Sequence, residues 1–518
     1  MDQLAEQYTL LQNQLDKFFG YPSFRLGQKE IIQDIMEGKN VLGILPTGSG
    51  KSICYQLPAR LLEGLTIVVS PLISLMIDQV KQLKAMNFKQ AVAINSFMDY
   101  RERNDVLRNL SHYKLVYVSP ELLQHDQIQQ KLGEVKVSLF VIDEAHCISQ
   151  WGHEFRPDYL KLHEIIHVCN YPAVLALSAT ATPKVQEDII QALGNQKMVK
   201  HVYDMDRDNI AFCIKEVNDD QEKNAKIIAL CKKYRVPSLI YFSSRQAAEK
   251  VSQILIQNLG YRIAVYHGGM DQHDRITIQQ QFMNNQLDIV CCTSAFGMGI
   301  NKQNIRLIIH YHLTTQVESY IQEIGRAGRD GEASVSFLLY SKKDIHLPKN
   351  IIKKDLPTKH DVMVIFEHLY NLYMADQPLP VKEEAMNRFH INEVQWRFIC
   401  YQLEHHGIIK DNTIFFKNNV WLRARQQINE YCQHRITMKQ AKLNKFLTWV
   451  HQKDCLRKYL YHEFQSGYKT PKYQCCTNCG FSWDHWSPVQ IVPMEEMTET
   501  WQDKLKGKLL VGVKDETE

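Results

Sequence analysis

The stretch Pro46-Thr47-Gly48-Ser49-Gly50-Lys51-Ser52 concentrates residue types suited to holding phosphate. Its glycines let backbone N–H groups close around phosphate oxygens, Lys51 can reach the terminal phosphates of a nucleoside triphosphate, and Ser52 can ligate magnesium. Leu45 stands where the general pattern of such loops begins with glycine. A second group, Asp143-Glu144-Ala145-His146, brings two adjacent carboxylates. Asp143 can hold magnesium and Glu144 can orient an attacking water. Taken alone, the pair equally suits the acidic first turn of a helix; beside the glycine loop it reads as hydrolytic. Charge that develops on a terminal phosphate asks for cations from the opposite side. Gln322-Glu323-Ile324-Gly325-Arg326-Ala327-Gly328-Arg329-Asp330 offers two arginines three apart, which share a face if the segment is helical.

Such groups need rigid elements behind them, and from about residue 40 short apolar runs alternate with polar helical stretches, the rhythm of a parallel sheet with crossover helices. Val41–Leu45, Thr66–Val69, Leu115–Val118, Leu139–Ile142 and Val174–Leu177 read as buried strands. Ligands gather beyond the carboxyl ends of such strands, which places Gly48–Ser52, Asp143–His146 and Ser178-Ala179-Thr180 along one rim. A second series, Leu239–Phe242, Arg262–Tyr266, Asp288–Cys292, Leu307–His310 and Val335–Leu339, predicts a second α/β domain and a cleft between the two. Asp204–Asn209, polar and without a period, reads as the linker. Beyond about residue 350 the rhythm gives way to helices rich in aromatic and basic residues.

Composition sets the outer bounds. A chain of 518 residues suggests three or four domains, and 45% hydrophobic with 23% charged residues is the balance of a folded protein, with disorder expected only at the C-terminal tail. Its net charge of +4 permits a nucleic-acid partner without arguing for one. No basic segment followed by an apolar run opens the chain, and no 18-residue apolar stretch occurs, so a cell-interior location with reduced thiols is expected. Only Cys475-Cys476-x-x-Cys479 among 13 cysteines is spaced like a ligand set.

In motif order over residues 15–345, the chain resembles the RecQ family of superfamily-two DNA helicases. The resemblance implies two tandem RecA-like motor domains followed by a mainly helical region with a zinc module, and ATP, magnesium and zinc as cofactors. Phe19-Gly20-Tyr21-Pro22-Ser23-Phe24-Arg25-Leu26-Gly27-Gln28 is similar to the family's adenine-recognition segment, with Tyr21 stacking on the base, Arg25 nearby and Gln28 reading its edge. The segment from Cys147 to Tyr159 is similar to its aromatic-rich loop: Trp151 and Phe155 can stack on single-stranded bases while His153 and Arg156 add polar and phosphate contacts. Ser178-Ala179-Thr180 resembles the motif that couples hydrolysis to domain movement, and Thr293–Lys302 the one touching nucleotide and nucleic acid together. Arg326 and Arg329 become the γ-phosphate arginines.

The same resemblance makes Cys455, Cys475, Cys476 and Cys479 the zinc thiolates. Relatives often space the clustered cysteines as two C-x-x-C pairs; here Ser482 stands three after Cys479, so Cys475 is taken as the compensating ligand and His485 as its reserve. More than a hundred residues separate the arginine motif from Cys455. Within them Val362–Ala375, Val381–Phe389 and Glu393–His405 read as helices before a hairpin over Gly407–Phe416, either a winged-helix-like DNA-binding unit or a helical spacer. The expected organisation is thus 1–205 and 206–345 for the motor domains, 346–440 for this segment, 441–490 for the zinc module and 491–518 for the tail, without a further helical DNA-binding domain. The implied activity is ATP-dependent movement 3′ to 5′ along single-stranded DNA and unwinding of forked or branched duplexes, as a monomer in the cytoplasm or at a bacterial nucleoid, with a single-strand-binding protein as an expected partner. An RNA helicase of the same superfamily and a non-catalytic DNA scaffold are the alternative readings.

Overall fold

Buried, branched-chain runs build two parallel sheets in tandem. The computed structural model describes residues 2–149, 156–194, 197–297, 302–410, 412–465 and 467–491. The first sheet comprises β1 (Asn40–Ile44), β2 (Leu65–Val69), β3 (Ala91–Ile94), β4 (Leu115–Val118), β5 (Val137–Ile142), β6 (Ala173–Ser178) and β7 (Met198–Val202), in the order β3-β4-β2-β5-β6-β1-β7. The second comprises β8 (Ile210–Glu216), β9 (Ser238–Tyr241), β10 (Ile263–Tyr266), β11 (Ile289–Cys292), β12 (Leu307–His310) and β13 (Ser334–Tyr340), in the order β10-β11-β9-β12-β13-β8. Every pairing in both sheets is parallel.

The ten strands legible as apolar runs are present, and β3, β7 and β8 join them, all three at sheet edges. In β7 the edge faces solvent, which dilutes the apolar signal, as it reads Met198-Val199-Lys200-His201-Val202 with none of it fully buried; β3 and β8 are largely buried despite their edge positions.

The expected linker is a packed element. Asp206 and Asn209 are buried, and Arg457, fully buried on a later helix, forms an ion pair with Asp206 and donates to the Arg207 carbonyl at 3.0 Å. Gln465 Oε1 accepts from the Met205 and Asp206 amides at 2.9 and 3.0 Å. A polar run without periodicity looks the same whether its carboxylates face water or buried cations, which is why its sequence suggested a tether.

After β13 come helices Lys359–Met374, Lys382–Phe389 and Glu393–His405, then a two-strand hairpin of β14 (Ile409–Lys410) and β15 (Thr413–Ile414). Thr358 with Asp361 and Asn392 with Gln395 form reciprocal capping boxes that fix where two of these helices begin. They share a core of their own with Trp421, Ala424 and Ile428 from the next helix, Asn418–Val450. That helix is 33 residues long and runs straight through residue 440, so the expected boundary there falls inside one rigid element. Its last turns carry Phe446 and Trp449 into the motor-domain core against Tyr320. No helix among the described residues is long and apolar enough to cross a membrane.

Candidate nucleotide site between the two sheets

The phosphate loop leaves the carboxyl end of β1 and runs into the helix Ile53–Leu61. Leu45, at the position where a glycine would open the general pattern, is fully buried and its amide donates to the Ser178 carbonyl at 3.1 Å, which ties the start of the loop to β6. Arg25 Nη1 donates to the Gly48 carbonyl at 2.8 Å, and Gln28 Nε2 donates to the Ser49 and Gly50 carbonyls at 2.9 and 3.0 Å. Both residues of the Phe19–Gln28 segment therefore brace the loop from behind. Tyr21, 45% exposed, lines the same cavity and leaves a ring accessible to a base.

Asp143 and Glu144 follow β5. Burial first, and then the neighbouring Glu144, push the Asp143 carboxyl up to about 7, against the pull of Lys51. Two adjacent carboxylates, one of them buried, beside the Ser52 hydroxyl form an oxygen donor set that fits magnesium held by Asp143 and Ser52. Glu144 takes a left-handed backbone at φ 50°, and its carboxylate lies 3.4 Å from His146 Nδ1. His146 Nδ1 in turn lies 3.0 Å from Ser178 Oγ, which links the carboxylate pair to Ser178-Ala179-Thr180.

The arginines arrive from the second sheet, but not on a helix. The helix Val317–Ile324 stops at Gly325, and Arg326 and Arg329 sit on the turn beyond it, where Gly328 adopts φ 52°. Two glycines in five residues cost a helix about 1 kcal/mol each, so the chain turns instead. The close approach also needs Gly325 itself: a Cβ there would stand 1.7 Å from Thr47 Oγ1. Burial, then Arg326 and Arg207, push Arg329 down to about 9. Arg326 is buried, with no hydrogen-bond partner for its Nε among the described residues. Cations accumulated in this way call for an anionic ligand.

All these parts line one cavity of about 420 Å³: Tyr21, Arg25, Gln28, Thr47, Gly48, Gly50, Lys51, Ser52, Asp143 and Glu144 from the first domain, Arg326 and Arg329 from the second. Ser49 contributes through its carbonyl to Gln28. Sequence reading missed Gln303 and Gln322, which also line it, and Arg207. The Arg207 guanidinium donates to the Thr47 carbonyl at 3.1 Å and to the carbonyls of Gly325, Ala327 and Gly328 at 3.3, 3.3 and 2.6 Å. It thus stitches the phosphate loop to the arginine turn. Its one sequence signal was a single cation among Asp204, Asp206 and Asp208. Trp151, His153 and Phe155 lie outside the described residues. Arg156 is described, and its Nη1 approaches Glu121 Oε1 at 3.4 Å.

A separate cluster gathers Cys455, Cys475, Cys476 and Cys479, whose sulfurs all lie within 4.8 Å of one another. Tetrahedral zinc with Zn–S bonds of about 2.3 Å needs sulfurs roughly 3.8 Å apart, and the Cys455 and Cys475 sulfurs are 3.6 Å apart. The donor set fits zinc, and His485 is not part of it. Phe212 on β8 donates its amide to the Cys475 carbonyl at 3.0 Å, so the cluster caps the exposed edge of the second sheet.

Comparison with known proteins matches residues 25–189 to the DEAD/DEAH box helicase family and 222–331 to the helicase conserved C-terminal domain. The chain is 39% identical over 475 residues to the probable ATP-dependent DNA helicase RecS of Bacillus subtilis, covering 91% of this chain and 92% of that one. It is 40% identical over 346 residues to the ATP-dependent DNA helicase RecQ of Haemophilus influenzae, covering 66% of this chain and 55% of that one. Among solved structures, the Mycobacterium smegmatis helicase Lhr bound to single-stranded DNA and AMP-PNP aligns with a TM-score of 0.54 at 18% identity, over 80% of this chain and 61% of that one. Mss116p bound to single-stranded RNA aligns with a TM-score of 0.56 at 17% identity, over 80% and 89%. At such identities the two structures establish the fold, tandem RecA-like domains, and nothing further.

Proposed function

The chain belongs to the RecQ and RecS family of ATP-dependent DNA helicases, and from that premise we propose how its own residues perform the work. It is an ATP-dependent DNA helicase. The observation that carries the mechanism is the single cavity to which one domain gives Lys51, Asp143 and Glu144 and the other gives Arg326 and Arg329. A site divided in this way is complete only when the domains are together, so nucleotide turnover and domain movement are one process.

In this reading Thr47, Gly48, Ser49, Gly50 and Lys51 cradle the phosphates, and Tyr21 stacks on the adenine. Gln28 now donates to the loop, and exchanging one of those bonds for the adenine edge would make loop geometry depend on the base. Ser52 and Asp143 would hold magnesium, which would neutralise phosphate charge. Glu144 orients the attacking water, and its contact with His146 and through it Ser178 carries the hydrolytic state to the domain interface. Arg326 and Arg329 stabilise the charge that develops on the transferred phosphate.

We assign DNA contacts to Trp151, His153, Phe155 and Arg156, movement 3′ to 5′, structural zinc to the four cysteines, forked or branched DNA as substrate, and monomeric action in the cytoplasm alongside a single-strand-binding protein. An RNA substrate is less well supported, because the relatives at 39–41% identity are DNA helicases and the RNA-bound likeness is one of fold. A non-catalytic scaffold would have no reason to keep every hydrolytic group in one cavity. Lys51→Ala is expected to abolish ATP hydrolysis and strand separation while leaving DNA binding intact, as read by ATPase, unwinding and DNA-binding assays. Hydrolysis should rise with single-stranded DNA and far less with RNA of the same sequence; equal stimulation by both would overturn the DNA assignment.

A further inference from the structure

A second and larger cavity, about 800 Å³, lies where three bodies meet. The first motor domain gives it Leu72 and Arg156, the second gives Ser294 and Ala295, and the helical module between β13 and the long helix gives Trp396, Arg397, Tyr401 and their neighbours. Six cations line it, Arg156, Lys161, Lys382, Arg397, Arg435 and Lys439, against three carboxylates.

The three bodies also close on one another. The module is covalently continuous with the second domain, and its long helix is pinned there by Lys442 to Glu318 at 2.8 Å. On its other side it reaches the first domain: Arg397 Nη2 lies 3.2 Å from both Glu121 Oε1 and Asp158 Oδ2, and Lys161 Nζ lies 3.4 Å from Glu404 Oε2. The two motor domains complete the circuit through Arg207 and the phosphate loop.

We infer that the helical module closes a ring around single-stranded DNA, with the Arg397 and Lys161 ion pairs as its latch. This rests on the DNA helicase reading above. Five of these cations already face carboxylates, so phosphate is met by exchange at the long 3.4 Å pair of Arg156 with Glu121, which leaves Glu121 to Arg397. Tyr401 and Tyr431 among the lining residues provide rings for stacking on bases. A cavity of about 800 Å³ lies in the range of sites for a single small ligand, about 300–1,000 Å³, which suits a few unpaired nucleotides and not a duplex turn. The occupant is therefore one strand. The position serves the mechanism: Leu72 and Arg156 move with the first sheet and Ser294 and Ala295 with the second, so each nucleotide-driven closure shifts two walls of the channel while the module keeps the strand from leaving sideways. Ion pairs as exposed as Arg397 with Glu121, 50% and 32%, are weak enough to open for loading.

Topology tests this directly. The full chain carrying Lys161→Cys and Glu404→Cys would be loaded with circular or linear single-stranded DNA of equal length, bridged with a short bis-maleimide, and washed at about 1 M salt, where phosphate contacts are lost. The unsubstituted chain, treated identically, is the control. The expected result is retention of the circle and loss of the linear strand, with both lost from the control. Loss of the circle, equal retention of both forms, or failure of the bridge to form would overturn the ring. DNA-stimulated ATP hydrolysis by the unbridged protein separates the two readings: stimulation with an escaping circle sinks only the ring, whereas no stimulation sinks the helicase reading and the ring with it.

Discussion

Arg326, Arg329 and Arg207 converge on one site, where burial first, and then the other two guanidinium groups, push Arg329 down to about 9. The sequence placed the first two beside a phosphate because the chemistry requires cations there, but it left open whether a helix carries them, and two glycines decide for a turn. His312 carries a separate consequence at this scale. Burial, then the nearby Lys223 ammonium, push its imidazole down to about 4, and Nδ1 accepts from the Ser243 amide at 3.2 Å. In the unfolded chain the same group titrates near ~6.5. The folded state thus binds fewer protons between those values, so stability is fully present above pH ~6.5 and falls as pH drops towards 4, by on the order of 2–3 kcal/mol. Denaturant melts of the wild type and His312→Gln across that window should show a shallower acid loss in the variant.

The element that matters most is the short stretch from Asp204 to Asn209, read as a linker from its polar composition. Arg207 holds the phosphate loop to the arginine turn by backbone carbonyls alone, so its role is geometric. Arg207→Ala is expected to lower the kcat for ATP about tenfold to a hundredfold with a smaller change in KM; a defect confined to KM would argue for a binding role instead. Arg207→Lys should rescue little, since one ammonium cannot span four acceptors. The segment that carries the cysteine cluster meets the same stretch from its other side through Arg457 and Gln465. Cys479→Ser, or chelation, should release zinc and lower the melting temperature, and the loss should spread to the second motor domain, whose edge strand the cysteine segment pairs. Hydrogen exchange at Phe212 and Ile214 would report it.

At the scale of the whole molecule, a net charge of only +4 over 518 residues means that binding to DNA relies on a local field. If the cleft lined by Arg156 holds the strand, affinity should fall with salt at roughly −0.7 in log K against log salt per phosphate contacted, and Arg156→Ala should make the slope shallower by about 0.7. A slope insensitive to Arg156 would place the strand elsewhere. Spacing and periodicity alone determined the phosphate loop, the Asp-Glu pair, the buried strands and the Cys475–Cys479 cluster, because each depends on residues close in sequence and on periodicities that burial enforces, whereas Cys455 entered only through the family resemblance. Which residues meet across the cleft was not legible: Gly325 against Thr47, Arg207 against two domains and Arg397 against Glu121 and Asp158 are contacts between residues 118 to 278 positions apart or set by the docking of separate bodies. Local sequence carries no periodic trace of a partner that distant, so a shared cleft was expected on chemical grounds, while which atoms join across it, and that the helical module reaches back to the first sheet, only the tertiary structure could decide.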